Sequence, residues 1–192
     1  MYVAVDEEVL GLIALMDIPS EHAKATIEYF RKQGIHTTLI TGDSEMTGKA
    51  VAKQLGIDEV IANVMPEDKS RIIDEQKEKY GVTAMVGDGV NDAPALVNAD
   101  VGIAMGDGTD VAVEVSDLVL MQNNLSKLVQ SHNISSKMNR VIWQNIIFSM
   151  AVVAFLIVVS FLGLTDIAIS VIIHEGSTLV VILNGLRLLR AV

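Results

Sequence analysis

Apolar and polar positions alternate in blocks over the first 120 residues. Short, nearly uninterrupted apolar runs occupy positions 9–16, 60–62, 82–86, 101–105 and 118–121, and Ile35-His36-Thr37-Thr38-Leu39-Ile40 reads as a further strand. Runs of that length with few polar breaks read as buried strands. The segments between them carry apolar residues at helical spacing. Ser20 stands as the N-cap of a first helix striped by Ala23, Ile27 and Phe30 and ended by Gly34. A second runs from Ser44 to Leu55 and is closed by Gly56. A charged amphipathic helix follows Met65-Pro66-Glu67-Asp68-Lys69 as far as Tyr80. Shorter helices start near Pro94 and cover 111–115. Strand and helix in this alternation predict a mostly parallel sheet covered on both faces, a Rossmann-like α/β fold.

Beyond Asn123 the pattern changes. Positions 125–140 read as a connecting helix carrying Lys127, Lys137 and Arg140. An apolar stretch at 141–164 and a second at 166–187 are separated by Gly163-Leu164-Thr165-Asp166. At about 1.5 Å per residue each is long enough for a bilayer core of about 30 Å. Basic residues flank the entry to the first stretch and the exit of the second, at Arg187 and Arg190, whereas the turn carries only an acid. The positive-inside rule then predicts a transmembrane hairpin with both ends, and the α/β part at 1–124, on the cytoplasmic side of the cell membrane.

Composition sharpens this division. The formal net charge of the 192 residues is −10, which argues against a nucleic-acid partner, since that requires a basic face. The absence of cysteine removes disulfides and thiolate metal sites.

The chemistry gathers on loops at strand ends, where open α/β sheets place their ligands. Val86-Gly87-Asp88-Gly89-Val90-Asn91-Asp92 holds two carboxylates and an amide just after a strand. Clustered hard oxygens suit Mg²⁺, which shares its shell with phosphate and water. An EF-hand fails because Val90 stands at its third ligand position, and a dinucleotide fingerprint fails because Asp92 replaces the third glycine. The hydroxyl and backbone N–H groups of Thr41-Gly42-Asp43 can bond phosphate oxygens. Lys69, at a helix start, can offset charge on a phosphate and a neighbouring carboxylate. In the second apolar stretch, His174-Glu175-Gly176-Ser177-Thr178 sets ionisable groups near mid-bilayer, where they are costly and mark an ion path by default. His174, Glu175, Ser177 and Thr178 are the candidate ligands of a transported cation, and imidazole plus carboxylate suits Zn²⁺, Co²⁺ or Fe²⁺. Asn145, Ser149 and Ser160 share a face of the first stretch. Ser149 and Ser160 read as hydrogen-bonding glue between helices.

Together, Thr41-Gly42-Asp43, Pro66-Glu67-Asp68-Lys69, the string from Gly87 to Leu96, Met105-Gly106-Asp107-Gly108-Thr109-Asp110 and Asp117-Leu118-Val119-Leu120-Met121 closely resemble the phosphorylation domain of P-type cation-transporting ATPases. That domain belongs to the haloacid-dehalogenase superfamily. The string His174–Thr178 resembles the last-helix signature of the cobalt/zinc/iron group of heavy-metal pumps. The resemblance implies that Thr41, Gly42, Asp43, Lys69 and Asn91 form the catalytic site, that Asp88 and Asp92 bind Mg²⁺, and that the parent pump uses ATP to move a divalent transition metal. It implies coupling through the helix at 125–140.

The family's nucleophile is the aspartate of an Asp-Lys-Thr-Gly-Thr string, and no such string occurs here. A carboxylate nucleophile is not replaceable by positioning groups. The chain therefore reads as the C-terminal portion of a pump, inactive alone, with its truncated α/β domain completed by a missing N-terminal part. Two alternatives stand beside it. One is a membrane-tethered phosphatase of the same superfamily, with Asp6 or Asp17 as nucleophile. The other is a non-catalytic remnant that binds metal or a partner.

Overall fold

The computed structural model describes residues 2–5, 8–12, 19–106, 108–121 and 124–190. It divides into two compact units, Met1–Lys127 and Leu128–Val192. The first unit opens with an antiparallel pair, β1 (Tyr2–Val5) and β2 (Glu8–Leu12), whose register shifts between Val3 and Ala4. This corrects the reading of 9–16 as one buried strand. The described part is an exposed hairpin in which Leu10 is 65% accessible, and 13–18 lie outside the described residues.

Then come α1 (Ala23–Lys32), β3 (Thr38–Ile40), α2 (Glu45–Leu55), β4 (Glu59–Ile61), a 3-10 turn (Pro66–Asp68) and α3 (Lys69–Tyr80). β5 (Ala84–Gly87), a 3-10 turn (Val90–Asp92), α4 (Ala93–Asn98), β6 (Val101–Met105), α5 (Asp110–Val115) and β7 (Leu118–Leu120) complete the unit. β3 pairs with β4, and β6 pairs with both β5 and β7, all parallel. The expected α/β fold with parallel strands is present.

Local chemistry explains the boundaries. Ser44 caps α2 by accepting from the Thr47 amide, and Gly56 follows its last residue. Ser20 does not cap α1. The helix begins after His22, and Ser20 only offers its backbone carbonyl to the Ala23 amide. The core is built on α4, whose Leu96 is 1% exposed and packs with Ala104 of β6 and Ala112 of α5, with Met85, Val113 and Val115 around them. Burying α4 between α3 and the β5–β6 pair anchors the loop that precedes it.

The second unit is two helices. Residues 125–140 and 141–164, read from the sequence as a connector and a span, are covered largely by one continuous helix, α6 (Ser126–Phe161). No glycine or proline interrupts those 36 residues, so nothing ends the helix. At about 1.5 Å per residue α6 is about 54 Å long, well beyond a bilayer core. After a turn at Gly163, α7 (Ile167–Leu186) starts with Asp166 accepting from the Ile169 amide. Almost none of the apolar window of α6 and none of that of α7 is buried within the structure, so neither is a core helix of these 192 residues. From Val141 on, the half-buried positions of α6 fall at Val141, Asn145, Ser149, Val152, Leu156 and Val159, a seam of steps of three and four that packs on a neighbouring helix.

At the far end of α3, the Glu59 carboxylate accepts from Lys79 Nζ (2.8 Å) and Tyr80 Oη (3.1 Å) and lies 3.3 Å from His36 Nε2. The hydrogen bond from Lys79 chiefly, with Tyr80 and His36, holds this carboxyl below its ordinary 4.5 against the opposing effect of burial. A depressed folded pKa contributes stability that is fully present above the unfolded value and lost as pH falls through the folded one. Chemical denaturation across pH should therefore show Glu59→Gln less stable than the parent above pH 4.5. The gap should close as pH drops below that value, and a pH-independent gap would assign the loss to packing.

Candidate phosphoryl site and membrane cation site

Parallel pairing sets Gly87, the last residue of β5, beside Ala104 of β6. The loops that follow therefore leave the same edge. Asp88 heads the first loop. Its backbone carbonyl accepts from the Thr109 amide at 3.1 Å, which ties it to the loop after β6. Gly108 allows that approach, since a Cβ there would sit 2.8 Å from the Asp88 carbonyl oxygen. The Asp88 residue is exposed, and among the described residues nothing hydrogen-bonds its carboxylate. Asn91 is exposed on the same turn.

Asp92 is in a different situation. Its side chain is 11% exposed and pairs with Lys69 Nζ at 2.5 Å, the lysine side chain being 19% exposed. Its other oxygen lies 3.4 Å from the Asp88 amide. Gly87 makes room, because a Cβ there would fall 2.8 Å from the Asp92 Cβ. The two carboxylates assigned jointly to Mg²⁺ are thus unlike. Asp88 faces solvent, whereas one Asp92 oxygen is committed to a lysine. A single free carboxylate with an adjacent one fits Mg²⁺, which keeps water and phosphate in its shell. The described residues contain no group of three carboxylate or imidazole side chains that would make a dedicated protein cage.

Thr41-Gly42-Asp43 follows β3. Thr41 Oγ1 donates to the Asp43 carboxylate at 3.0 Å and accepts from the Asp43 amide at 3.1 Å. The segment is tied to the end of β4, Thr41 N donating to Ile61 O and Val64 N to Thr41 O, shortly before the turn that delivers Lys69. The hydrogen bonds among the described residues thus unite Lys69 with Asp92, and the Thr41 loop with 61–64; none joins Thr41 or Asp43 directly to Asp88. Thr109 and Gly108, which fix the Asp88 backbone, received no role from the sequence. The glycine just before the N-cap of α5 was the available signal.

On α7, His174 and Glu175 border a cleft of about 740 Å³ with Leu156 and Ser160 of α6 and with Asp166 and Ser170. Ser177 and Thr178 do not turn their hydroxyls outward. Both donate to the His174 carbonyl, at 2.6 and 3.4 Å. Asn145 bonds Asn184 of α7 at 2.9 Å, and Ser149 lies in the half-buried seam.

A sequence profile of haloacid dehalogenase-like hydrolases matches residues 2–100, just over half of the chain and including the loops that carry Thr41, Lys69, Asp88 and Asp92. The chain belongs to the haloacid dehalogenase-like hydrolases. Within that family it is similar over nearly its whole length to heavy-metal P-type ATPases. It is 52% identical over 190 residues to a zinc-transporting ATPase of Bacillus subtilis (strain 168), covering 99% of this chain and 30% of that protein. It is 40% identical to a copper-exporting P-type ATPase of Staphylococcus haemolyticus (strain JCSC1435), covering 99% and 24%. A crystal structure of a zinc-transporting PIB-type ATPase in an E2·Pi state superposes with a TM-score of 0.91 at 38% identity, over 98% of this chain and 31% of that one. The chain thus spans less than a third of the length of the curated relatives it matches. With α6 and α7 long and apolar enough to cross a bilayer, this hydrolase relative of the metal pumps is a membrane protein.

The Lys69–Asp92 pair makes a stability prediction. Removing one partner of a largely buried ion pair leaves the other charge uncompensated, which costs about 3 kcal/mol or more. Lys69→Met should therefore lower unfolding free energy by about that amount, and adding Asp92→Leu should restore part of it. Denaturant unfolding in a double-mutant cycle reads this; additive losses would show that the two side chains do not act as a pair.

Proposed function

We propose that this chain supplies the phosphoryl-site loops and two membrane helices of an ATP-driven exporter of a divalent transition metal. The exporter works through an aspartyl-phosphate whose carboxylate lies outside these 192 residues. The observation that carries the reading is the Lys69–Asp92 pair beside an Asp88 carboxylate that has no partner among the described residues, on a chain 52% identical to a zinc-transporting ATPase.

In this reading Lys69, held by Asp92, presents its ammonium to phosphoryl oxygens and offsets their charge, as preorganised cations do in phosphoryl transfer. Thr41 and the amides of Gly42 and Asp43 hydrogen-bond the same group. Asn91 orients the outer side of the Asp88 loop. Asp88, supported by Asp92, would hold Mg²⁺, which when bound neutralises charge on the transferred phosphate. His174 and Glu175 are ligands of the transported Zn²⁺-, Co²⁺- or Fe²⁺-like cation. Ser177 and Thr178, whose hydroxyls donate to the His174 carbonyl, keep oxygen lone pairs that can ligate the same cation. Lys127, Lys137, Arg140, Arg187 and Arg190 against the lone Asp166 favour both ends of the helix pair, and the α/β unit, on the cytoplasmic face.

A chimera tests this. The matching segment of the Bacillus zinc-transporting ATPase is replaced by this chain, and everted vesicles are assayed for ATP-dependent zinc, cobalt and iron uptake. Uptake of at least one metal is expected, since everted vesicles expose the cytoplasmic face to ATP. Asp88→Asn should abolish it, and His174→Ala should raise the half-saturating metal concentration about ten-fold, the loss of one ligand's worth of affinity at about 1.4 kcal/mol. No uptake of any metal by a chimera that is expressed and inserted would contradict the reading. Hydrolysis of phosphomonoesters by the chain alone would favour a tethered phosphatase instead.

A further inference from the structure

Among the described residues, the side-chain hydrogen bonds that join α6 to α7 all run through Asn184. Its Nδ2 donates to Asn145 Oδ1 at 2.9 Å and lies 3.4 Å from Gln144 Oε1, while its Oδ1 accepts from Arg187 Nη1 at 2.8 Å. Both faces of the amide are therefore used, which fixes its plane as well as its position. The rest of the α6 seam is aliphatic apart from Ser149. Aliphatic packing in lipid has little directional preference, whereas a single polar pair between helices selects one register over its neighbours. The cation ligands of α7 are sensitive to that choice. His174 and Glu175 are consecutive, about 100° apart on the helix, and both border the cleft that α7 shares with Leu156 and Ser160. A modest rotation of α7 would carry one of them out of it.

We propose that Asn184 is a positioning residue that, paired with Asn145 and Arg187, sets the rotation of α7 against α6 and so aims His174 and Glu175 into their shared cleft. The rotation claim stands on geometry alone. Its consequence for a cation rests on the function proposed above.

The chain contains no cysteine, so introduced pairs report cleanly. Leu156 and Val171 both border the cleft, whereas Ile172 is 71% exposed and does not. In membranes carrying the full chain, a short bifunctional thiol reagent should link Leu156→Cys/Val171→Cys at least five-fold more than Leu156→Cys/Ile172→Cys. Asn184→Leu should reduce that preference to two-fold or less. Asn145→Leu should do the same, and the two together should add nothing further. Asn145→Asp, which keeps an acceptor for Asn184, should preserve the preference, and it reports even where Asn184→Leu is poorly inserted. An undiminished preference in both leucine variants, or no preference in the parent, would overturn the proposal. In the chimeric pump, Asn184→Leu should raise the half-saturating metal concentration for phosphoenzyme formation about ten-fold while leaving the maximal level within two-fold. A shifted crosslink with unshifted metal dependence would support the rotation claim and overturn the assignment of His174 and Glu175 as cation ligands.

Discussion

A lysine ammonium and a carboxylate removed from most of their water must meet each other, and at Lys69 and Asp92 they do so at 2.5 Å across 23 residues of sequence. That requirement organises the α/β unit around it. Lys69 reaches the pair because Pro66–Asp68 turns the chain into α3 with the lysine as its first residue. Asp92 reaches it because α4 is buried through Leu96 and Ala95, which fixes the turn before the helix. Gly87 leaves the space. What remains outside the pair is Asp88, held by its backbone and, among the described residues, without a partner at its carboxylate. One acid is spent on positioning a cation and the other stays available to a ligand, which is how neighbouring carboxylates acquire separate roles.

The second unit obeys a different solvent. From Val141 onward its apolar side chains face outward, and several of its sparse polar groups are placed at contacts. Asn145 meets Asn184, the Ser177 and Thr178 hydroxyls return to their own helix, and Asp166 caps α7. In hydrocarbon an unmet backbone or side-chain polar group is costly. His174 and Glu175 line a cleft without such partners among the described residues, and the proposed function uses them as cation ligands.

Much of this was legible in the residues. Ser44 and Gly56 bracket α2, as their capping chemistry requires, and the apolar runs at 101–105 and 118–121 lie close to β6 and β7. Positions 9–16 misled because an unbroken apolar run says nothing about its pairing partner. Tyr2–Val5 supplied an antiparallel one. The connector and the first span merged because a change from polar to apolar side chains alters the solvent a helix prefers without ending the helix. The Lys69–Asp92 pairing was half visible, since a cation near a carboxylate was expected, but the choice of Asp92 over Asp88 depends on which is buried, and that is a tertiary fact. Ser20 fails as a cap because the helix starts only at Ala23, with His22 in the N-cap position.

The division of labour between the two aspartates is the central claim, and Mg²⁺ binding to the intact chain in detergent tests it most directly. A ligand that binds only the folded state stabilises it by about 1.4 kcal/mol at ten times its dissociation constant. The melting temperature of the parent should rise with Mg²⁺, and Asp88→Asn should abolish the rise. Lys69→Met, starting from a lower melting temperature, should still show it. An undiminished Mg²⁺ response in Asp88→Asn, or its complete loss in Lys69→Met, would contradict the account.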